Sequence, residues 1–450
     1  MFSALLHTVW LSLQGFVYYY PLFMSYLWMM GAALFYWRNE RRGAMASQLM
    51  PRGQLPPISI LIPCFNESAH AEETLRHALA TDYPEFEVLA INDGSRDNTG
   101  AILDGMVAAH PRLRVVHMDK NQGKAMALQS GCLLARHEFL ICIDGDALLD
   151  PACASWMVRH FIEDTDVAAV TGNPRIRNRS TLLGRLQVGE FSSIVGMIKR
   201  AQRSFGRLFT VSGVITAFRK SALHDVGYWS ADMLTEDIDI TWKLQRGGWD
   251  VRFEPRALVW ILMPETLRGL WKQRLRWATG GAQVLLKNVN VIRHPTQNHL
   301  WPLLLELCLS MVWSYALVAM TLIWLAGLVL PHGIVPLVGS PLIPRWGSAF
   351  LGTTCLLQFA ISKWLDSRYD HGLGRNYYWM VWYPLAFWLI NIAATVVAFP
   401  RALMRRGTRA RWVSPDRGAH LRSRKGVSAA GGSVKDGSGA GGSGGGDHRA

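Results

Sequence analysis

The chain has 450 residues, half of them apolar, with 19 tryptophans, 17 methionines and a charged fraction of only 18%. That length suffices for a sizeable core and that charge content is low for a soluble chain, so the composition points to a membrane part joined to a globular part. The net charge of +14 would suit nucleic acid, but nine of the basic residues lie between Arg401 and Lys425 with Asp416 the only acid there. Attraction to anionic membrane lipid accounts for that cluster, and no nucleic-acid partner is expected.

From Met1 to Trp37 there is no Asp, Glu, Lys or Arg, and Gly15–Trp37 matches the roughly 20 apolar residues that span a bilayer. A cleaved signal peptide would need a basic start and a short apolar run, whereas Arg38, Arg41 and Arg42 come after a long one. Residues 1–37 are therefore expected to anchor the chain, and by the positive-inside rule the chain beyond Arg38 lies in the cytoplasm. Residues 38–55 read as a linker. The segment 56–260 then alternates short apolar or β-branched runs (Ile58–Cys64, Phe86–Asn92, Leu113–Met118, Phe139–Asp144, Val167–Thr171) with helical patterns such as Glu72–Ala80 and Lys124–Ala135. Such alternation predicts an α/β fold with a doubly wound, mostly parallel sheet.

Further along, Thr181–Lys199 reads as a helix, Leu208–Phe218 as a strand, Thr235–Arg246 as a helix and Trp249–Val259 as a strand. Across 261–298, apolar and basic residues mix at helical spacing from Leu267 to Lys287, which suits a helix at the membrane surface, an ordinary amphipathic surface helix being the rival. Residues 299–400 hold three apolar stretches, Trp301–Leu330, Trp346–Ser362 and Tyr377–Phe399, that look like membrane helices. Three crossings would leave the basic segment 401–425 outside, against the positive-inside rule, so one stretch is expected to be interfacial or re-entrant. The Gly/Ser-rich residues 426–450 are expected to be disordered. The six cysteines form no C-x-x-C pair and no zinc spacing, so they read as free buried thiols.

Ligands of a doubly wound sheet bind beyond the carboxyl ends of its strands, which gives weight to the acids there. The first strand ends in Pro63-Cys64-Phe65-Asn66-Glu67 and the second in Asn92-Asp93-Gly94-Ser95; either acid alone is equally well read as a helix cap. The fourth strand runs into Asp144-Gly145-Asp146, which delivers two acids to the same edge, with Gly145 letting the backbone come close. A diphosphate leaving group needs its charge neutralised, and Mg²⁺ or Mn²⁺ held by one or two carboxylates plus phosphate oxygens does so. An EF-hand loop is a poor rival, since its Gly and Glu positions are missing, and a plain turn is the alternative that stays open for this segment alone. The Gly-x-x-x-x-Gly-Lys-Ser/Thr and Gly-x-Gly-x-x-Gly spacings are absent as well, so ATPase and dinucleotide readings fall away. Lys124 opens a helix whose N-terminus can face phosphate, a solvated surface lysine being the equal alternative. Thr235-Glu236-Asp237 starts another helix, where an acid is either a cap or a general base. Gln273, Arg276 and Trp277 fall within one helical turn and offer an amide, a guanidinium and a flat ring, as a sugar or phosphate clamp or as a membrane-interface cluster.

In this order, Asp93, Asp144-x-Asp146, Thr235-Glu236-Asp237 and Gln273-x-x-Arg276-Trp277 resemble the processive inverting family-2 glycosyltransferases. Thr171-Gly172-Asn173-Pro174-Arg175, Trp260-Ile261-Leu262-Met263-Pro264-Glu265-Thr266 and Arg411-Trp412-Val413-Ser414-Pro415-Asp416 resemble the branch of that family that makes poly-β-1,6-N-acetylglucosamine, over about Gly15 to Gly418. The resemblance implies a GT-A-type fold in the cytoplasm and transmembrane helices in a bacterial inner membrane. It implies UDP-GlcNAc as donor, a growing polysaccharide as acceptor, a small membrane partner subunit and, in some members, control by cyclic di-GMP. By position, it makes Asp237 the base, puts Glu67, Asp93, Lys124 and Asp144 at the donor nucleotide, gives the metal to Asp146 with Asp144, and places Glu236, Gln273, Arg276 and Trp277 at the acceptor and diphosphate. Chitin, hyaluronan or cellulose synthesis, or an inert transporter or scaffold, are the alternatives.

Overall fold

The computed structural model describes residues 2–41, 50–329, 346–370, 372–379 and 387–405. The Gly/Ser tail, the basic segment beyond residue 405 and the middle of the Tyr377–Phe399 stretch lie outside the described residues.

The first two apolar runs become β1 (Ile58–Cys64) and β2 (Phe86–Asn92), each buried along its whole length. Burial on both faces is what makes such strands continuous apolar runs instead of alternating ones. β3 (Leu113–His117), β4 (Phe139–Ile143), β5 (Leu148–Leu149), β6 (Val167–Ile176), β7 (Ile215–Arg219) and β8 (Asp250–Ile261) complete the sheet, whose order among the described residues is β3-β2-β1-β4-β7-β6-β8-β5. β1 pairs in parallel with β2 on one flank and β4 on the other, and β2 pairs in parallel with β3. The chain thus leaves β1 outward, returns as β4, and creates a topological switch point between β1 and β4, the place where such sheets bind ligands. Beyond β4 the expected parallel pattern gives way to a mixed one: β7 is antiparallel to β4 and β6, β5 is antiparallel to β8, and β6 with β8 is parallel.

The expected strand Leu208–Phe218 is the largest departure, since only Ile215–Arg219 is a strand. Residues 208–213 give their backbone groups to side chains instead of a ladder. Leu208 N–H donates to Gln245 Oε1 and its carbonyl accepts from Gln245 Nε2, while the N–H groups of Val211, Ser212 and Gly213 donate to Thr241 Oγ1, Thr171 Oγ1 and Asp237 Oδ2. Elsewhere β6 runs on to Ile176 because it pairs with β8 across two register shifts. The expected helix Thr181–Lys199 divides into Leu182–Phe191, a π-helical stretch Ser192–Ile198 and Lys199–Ser204. The six cysteines are unpaired, all but Cys308 buried.

The helix Phe2–Phe35, without a charged residue, continues into a π turn over Tyr36–Glu40 and packs on Lys199–Ser204 and on Trp346–Asp366. The helical run Pro295–Val329 is long and apolar enough to cross a membrane, and only 17% of its most apolar window is buried inside the protein. These helices meet the sheet through a buried charge cluster. Arg200, fully buried, donates to Glu40 at 2.6 Å and to Asp366 at 2.8 Å, Arg175 pairs with Asp366 at 2.8 Å, and Tyr369 donates to Glu40 at 2.8 Å. Removing one partner of such a cluster strands a buried charge. Arg200→Met is therefore expected to destabilise the fold by about 3–5 kcal/mol, read as a lowered midpoint in thermal unfolding of the detergent-solubilised protein; an unchanged midpoint would contradict this role.

Candidate active site

Three strand ends build the floor of the site at the β1/β4 switch point. β4 delivers Asp144, and the turn after it packs against the end of β1, where a Cβ on Gly145 would lie 3.1 Å from both the Pro63 carbonyl oxygen and Glu67 Cγ. Thr74, buried in the helix Ala71–Leu79, donates its hydroxyl to the Gly145 carbonyl at 3.1 Å and holds the turn from above. Asp146 is 5% exposed. Glu67 is buried, with its N–H donating to Thr99 Oγ1 at 2.8 Å and its carbonyl accepting from His70 and Ala71 N–H at the start of that helix. At the end of β2, the buried Asp93 accepts the N–H groups of Gln122 and Gly123 at 2.8 and 2.9 Å. Burial pushes the Asp93 carboxyl upward despite those bonds. Its visible work is to anchor the turn that launches the helix Lys124–Leu134.

Lys124 stands where the separate pieces meet. Its ammonium lies 2.5 Å from Asp144 Oδ1 and 3.1 Å from Glu236 Oε1, and donates to the Gly213 carbonyl at 2.9 Å. Burial works against this charge, but Asp144, Glu236 and Asp237 outweigh it and hold the Lys124 pKa above the ordinary lysine value. Asp237 accepts the Gly213 N–H at 3.2 Å and its own neighbour Ile238 N–H at 3.0 Å. Burial, then the adjacent Glu236 charge, push the Asp237 carboxyl up to about 6. Glu236 moves the other way: burial would raise it, yet Lys124 and Arg276 hold it below the usual glutamate value. Two neighbouring carboxylates thus part company, one firmly ionised and one poised to take a proton near neutrality.

The helix Leu267–Asn288 comes down on this pair at Gly280, where a Cβ would lie 2.0 Å from Thr235 Oγ1. Thr235 makes no side-chain cap on the helix Glu236–Arg246 that it precedes, so its role is contact with Gly280 instead of capping. On that descending helix Arg276 is exposed and its charge reaches Glu236 and Asp237. Trp277 is half-buried beside Phe191, and Gln273 donates to Met263 Sδ at 3.8 Å. Arg274 turns inward, pairs with the buried Glu190 at 2.5 Å and lies 4.5 Å over the Trp277 ring.

Lys124, Asp144, Glu236 and Asp237 are therefore brought together; Glu67 and Asp146 flank the same turn; Asp93 stands one step behind, under the loop before Lys124. Sequence reasoning missed Thr74, Gly213, Gly280 and the pair Glu190–Arg274. Their only signal is a small residue, a hydroxyl or a charge inside a helical or loop pattern, which many neutral positions share. Among the described residues no group of three or more His, Cys, Asp or Glu is placed to hold a metal. Asp144 and Asp146 lie on either side of Gly145 in the turn after β4, and one or two carboxylates completed by phosphate oxygens are a set that Mg²⁺ or Mn²⁺ accepts. A Cβ on Gly213 would lie 3.0 Å from Asp237 Oδ2 and 3.3 Å from Lys124 Nζ. Gly213→Ala is accordingly expected to lower turnover at this site by about ten- to a hundred-fold while leaving the thermal midpoint within a few degrees of the parent; unimpaired turnover would show that the loop tolerates the methyl group.

Comparison with known proteins bears on the same residues. The model of a family described as "Glycosyltransferase like family 2" matches residues 56–280. A poly-β-1,6-N-acetyl-D-glucosamine synthase of Staphylococcus epidermidis is 40% identical over 411 residues, covering 90% of this chain and 98% of that protein. One of Staphylococcus aureus (strain COL) is 39% identical over 409 residues with the same coverage. Among solved structures, a mannosyltransferase from Pyrobaculum calidifontis in complex with GDP-Man and Mn²⁺ superposes with a TM-score of 0.55 at 20% identity, over 87% of this chain and 99% of that one, a likeness of fold. With the family model spanning the sheet and the site, and relatives alike over nearly the whole chain, this protein belongs to the family-2 glycosyltransferases.

Proposed function

We propose that the chain is a poly-β-1,6-N-acetyl-D-glucosamine synthase. It transfers N-acetylglucosamine from UDP-GlcNAc, with inversion at the anomeric carbon, to the end of a growing chain, and its membrane helices pass the polymer across the bacterial inner membrane. The observation that carries the reaction type is the meeting of Asp144, Lys124, Glu236 and Asp237 at one sheet edge with Asp237 raised to about 6. Sugar and linkage rest on the identity to the two staphylococcal synthases, which disfavours a chitin, hyaluronan or cellulose synthase and an inert scaffold.

In this reading the acceptor hydroxyl gives its proton to Asp237 as its oxygen bonds to the anomeric carbon, and the bond from that carbon to the diphosphate breaks to release UDP. Lys124 and Arg276 place positive charge where the diphosphate gains charge. Asp144 and Asp146 would hold Mg²⁺ or Mn²⁺, which when bound neutralises the diphosphate. Glu67 and Asp93 shape the nucleotide end, Asp93 through the loop at Gln122 and Gly123. Gln273, Arg276 and Trp277 bind the acceptor end, Trp277 by stacking on the sugar. Catalysis on the cytoplasmic side, a multi-pass topology, a small membrane partner subunit and a response to cyclic di-GMP belong to the same proposal and rest on the resemblance.

A base must be ionised to work, and a carboxyl raised to about 6 loses that form as the pH falls through 6. Membranes containing the protein are expected to incorporate radiolabelled UDP-GlcNAc into a polymer cut by a β-1,6-specific hydrolase, with an acidic limb near pH 6. Asp237→Asn is expected to cut incorporation by about 10²–10⁴-fold with UDP binding kept; full activity in that variant would sink the base assignment, and a hydrolase-resistant product the linkage.

A further inference from the structure

Lys199 has no part in the chemistry so far, yet it is 5% exposed and lies behind the site. Among the described residues no carboxylate pairs with its ammonium, which donates to Thr171 Oγ1 at 3.1 Å. A buried charge with only a hydroxyl partner is costly, and a methionine here would avoid that cost. Thr171, fully buried in β6, also accepts the Ser212 N–H at 2.8 Å. The next residue, Gly213, donates its N–H to Asp237 and accepts Lys124 through its carbonyl. A continuous line of hydrogen bonds and peptide therefore runs from Lys199 through Thr171, Ser212 and Gly213 to Asp237.

We propose that Lys199 is a positioning residue for Asp237: through Thr171 it fixes the loop that holds the carboxylate, and its buried charge favours the ionised, proton-accepting form. This rests on Asp237 being the base. Burial lowers the Lys199 pKa to about 7, with Asp237 the charge that opposes the shift. Between roughly pH 6 and 7 both groups carry charge, which is where the base begins to act. The other groups facing Asp237 are Glu236 on its own helix, Lys124 on the helix Lys124–Leu134 and Arg276 on the helix Leu267–Asn288. Lys124 and Arg276 act on Asp237 more strongly than Lys199 does, so the effect of Lys199 is a tuning of the base.

The test is the pH profile of kcat/KM for polymer synthesis from UDP-GlcNAc by the full chain in membranes, with UDP binding measured alongside. Lys199→Met is expected to move the acidic limb upward by about 0.5–1 pH unit, so that activity falls several-fold near pH 6 and recovers toward pH 8, with UDP affinity unchanged. Lys199→Arg keeps the charge and is expected to keep the parent limb. Should Lys199→Met fail to fold, judged by its thermal midpoint, Thr171→Val is expected to move the limb in the same direction and Thr171→Ser to leave it. An unmoved limb in Lys199→Met, or a loss equal at all pH values, overturns the proposal. If Asp237→Asn is inactive while the limb of Lys199→Met stays put, only this inference fails; if Asp237→Asn is active, the base reading fails first.

Discussion

One ammonium makes the rest of the site possible. Asp144 is far along the chain from the adjacent pair Glu236 and Asp237, yet the three arrive together at a poorly hydrated sheet edge, where like charges oppose one another's ionisation. Lys124 sits between Asp144 and Glu236 and accepts that concentration of charge. It does so unevenly. By closing on Glu236 and not on Asp237, it keeps one carboxylate ionised and leaves its neighbour exposed to the penalties of burial and repulsion. A carboxyl able to take a proton near neutrality, as the proposed mechanism asks of Asp237, results from where one cation stands.

Lys124 and Asp237 are held by a segment that gives up regular structure. Residues 208–213 look like a strand, yet Gln245, Thr241, Thr171 and Asp237 take their backbone groups. Each bond satisfies a buried polar group, so the segment escapes the cost of an unpaired backbone. It also ties the loop to the helix carrying Asp237, so the loop and that carboxylate share one frame. Gly213 is the point where both Asp237 and Lys124 touch that loop, one at the N–H and one at the carbonyl.

The joint to the apolar helices uses buried ions as well. Arg200 with Glu40 and Asp366, and Arg274 with Glu190, link segments that greasy contact alone would let slide. Buried ion pairs contribute little net stability after desolvation, but they penalise every arrangement that leaves one partner unpaired. Arg274 also lies over the Trp277 ring and so restricts its orientation.

β1 and β2 were legible to the residue because burial on both faces writes an unbroken apolar run. β5, two residues long, is too short to leave a pattern, and the false strand at 208–214 arose because apolar spacing does not say where N–H groups bond. The acids of the site were legible for a related reason: strand ends and helix starts are places that a linear pattern marks, and Asp93, Asp144, Asp146 and Asp237 all occupy such places.

By itself, then, the sequence determined most of the strands and helices, the apolar helices and the acids at strand ends and helix starts, because each depends on neighbours within a few positions. Tertiary structure alone decided that Lys124 joins two of those acids, that Asp237 is the one raised, that Gly213 and Gly280 stand against Asp237 and Thr235, that Arg274 lies over Trp277, and that Lys199 bonds to Thr171. Those facts depend on distances between residues tens of positions apart and on burial at the place where they meet, quantities that spacing along a chain does not contain.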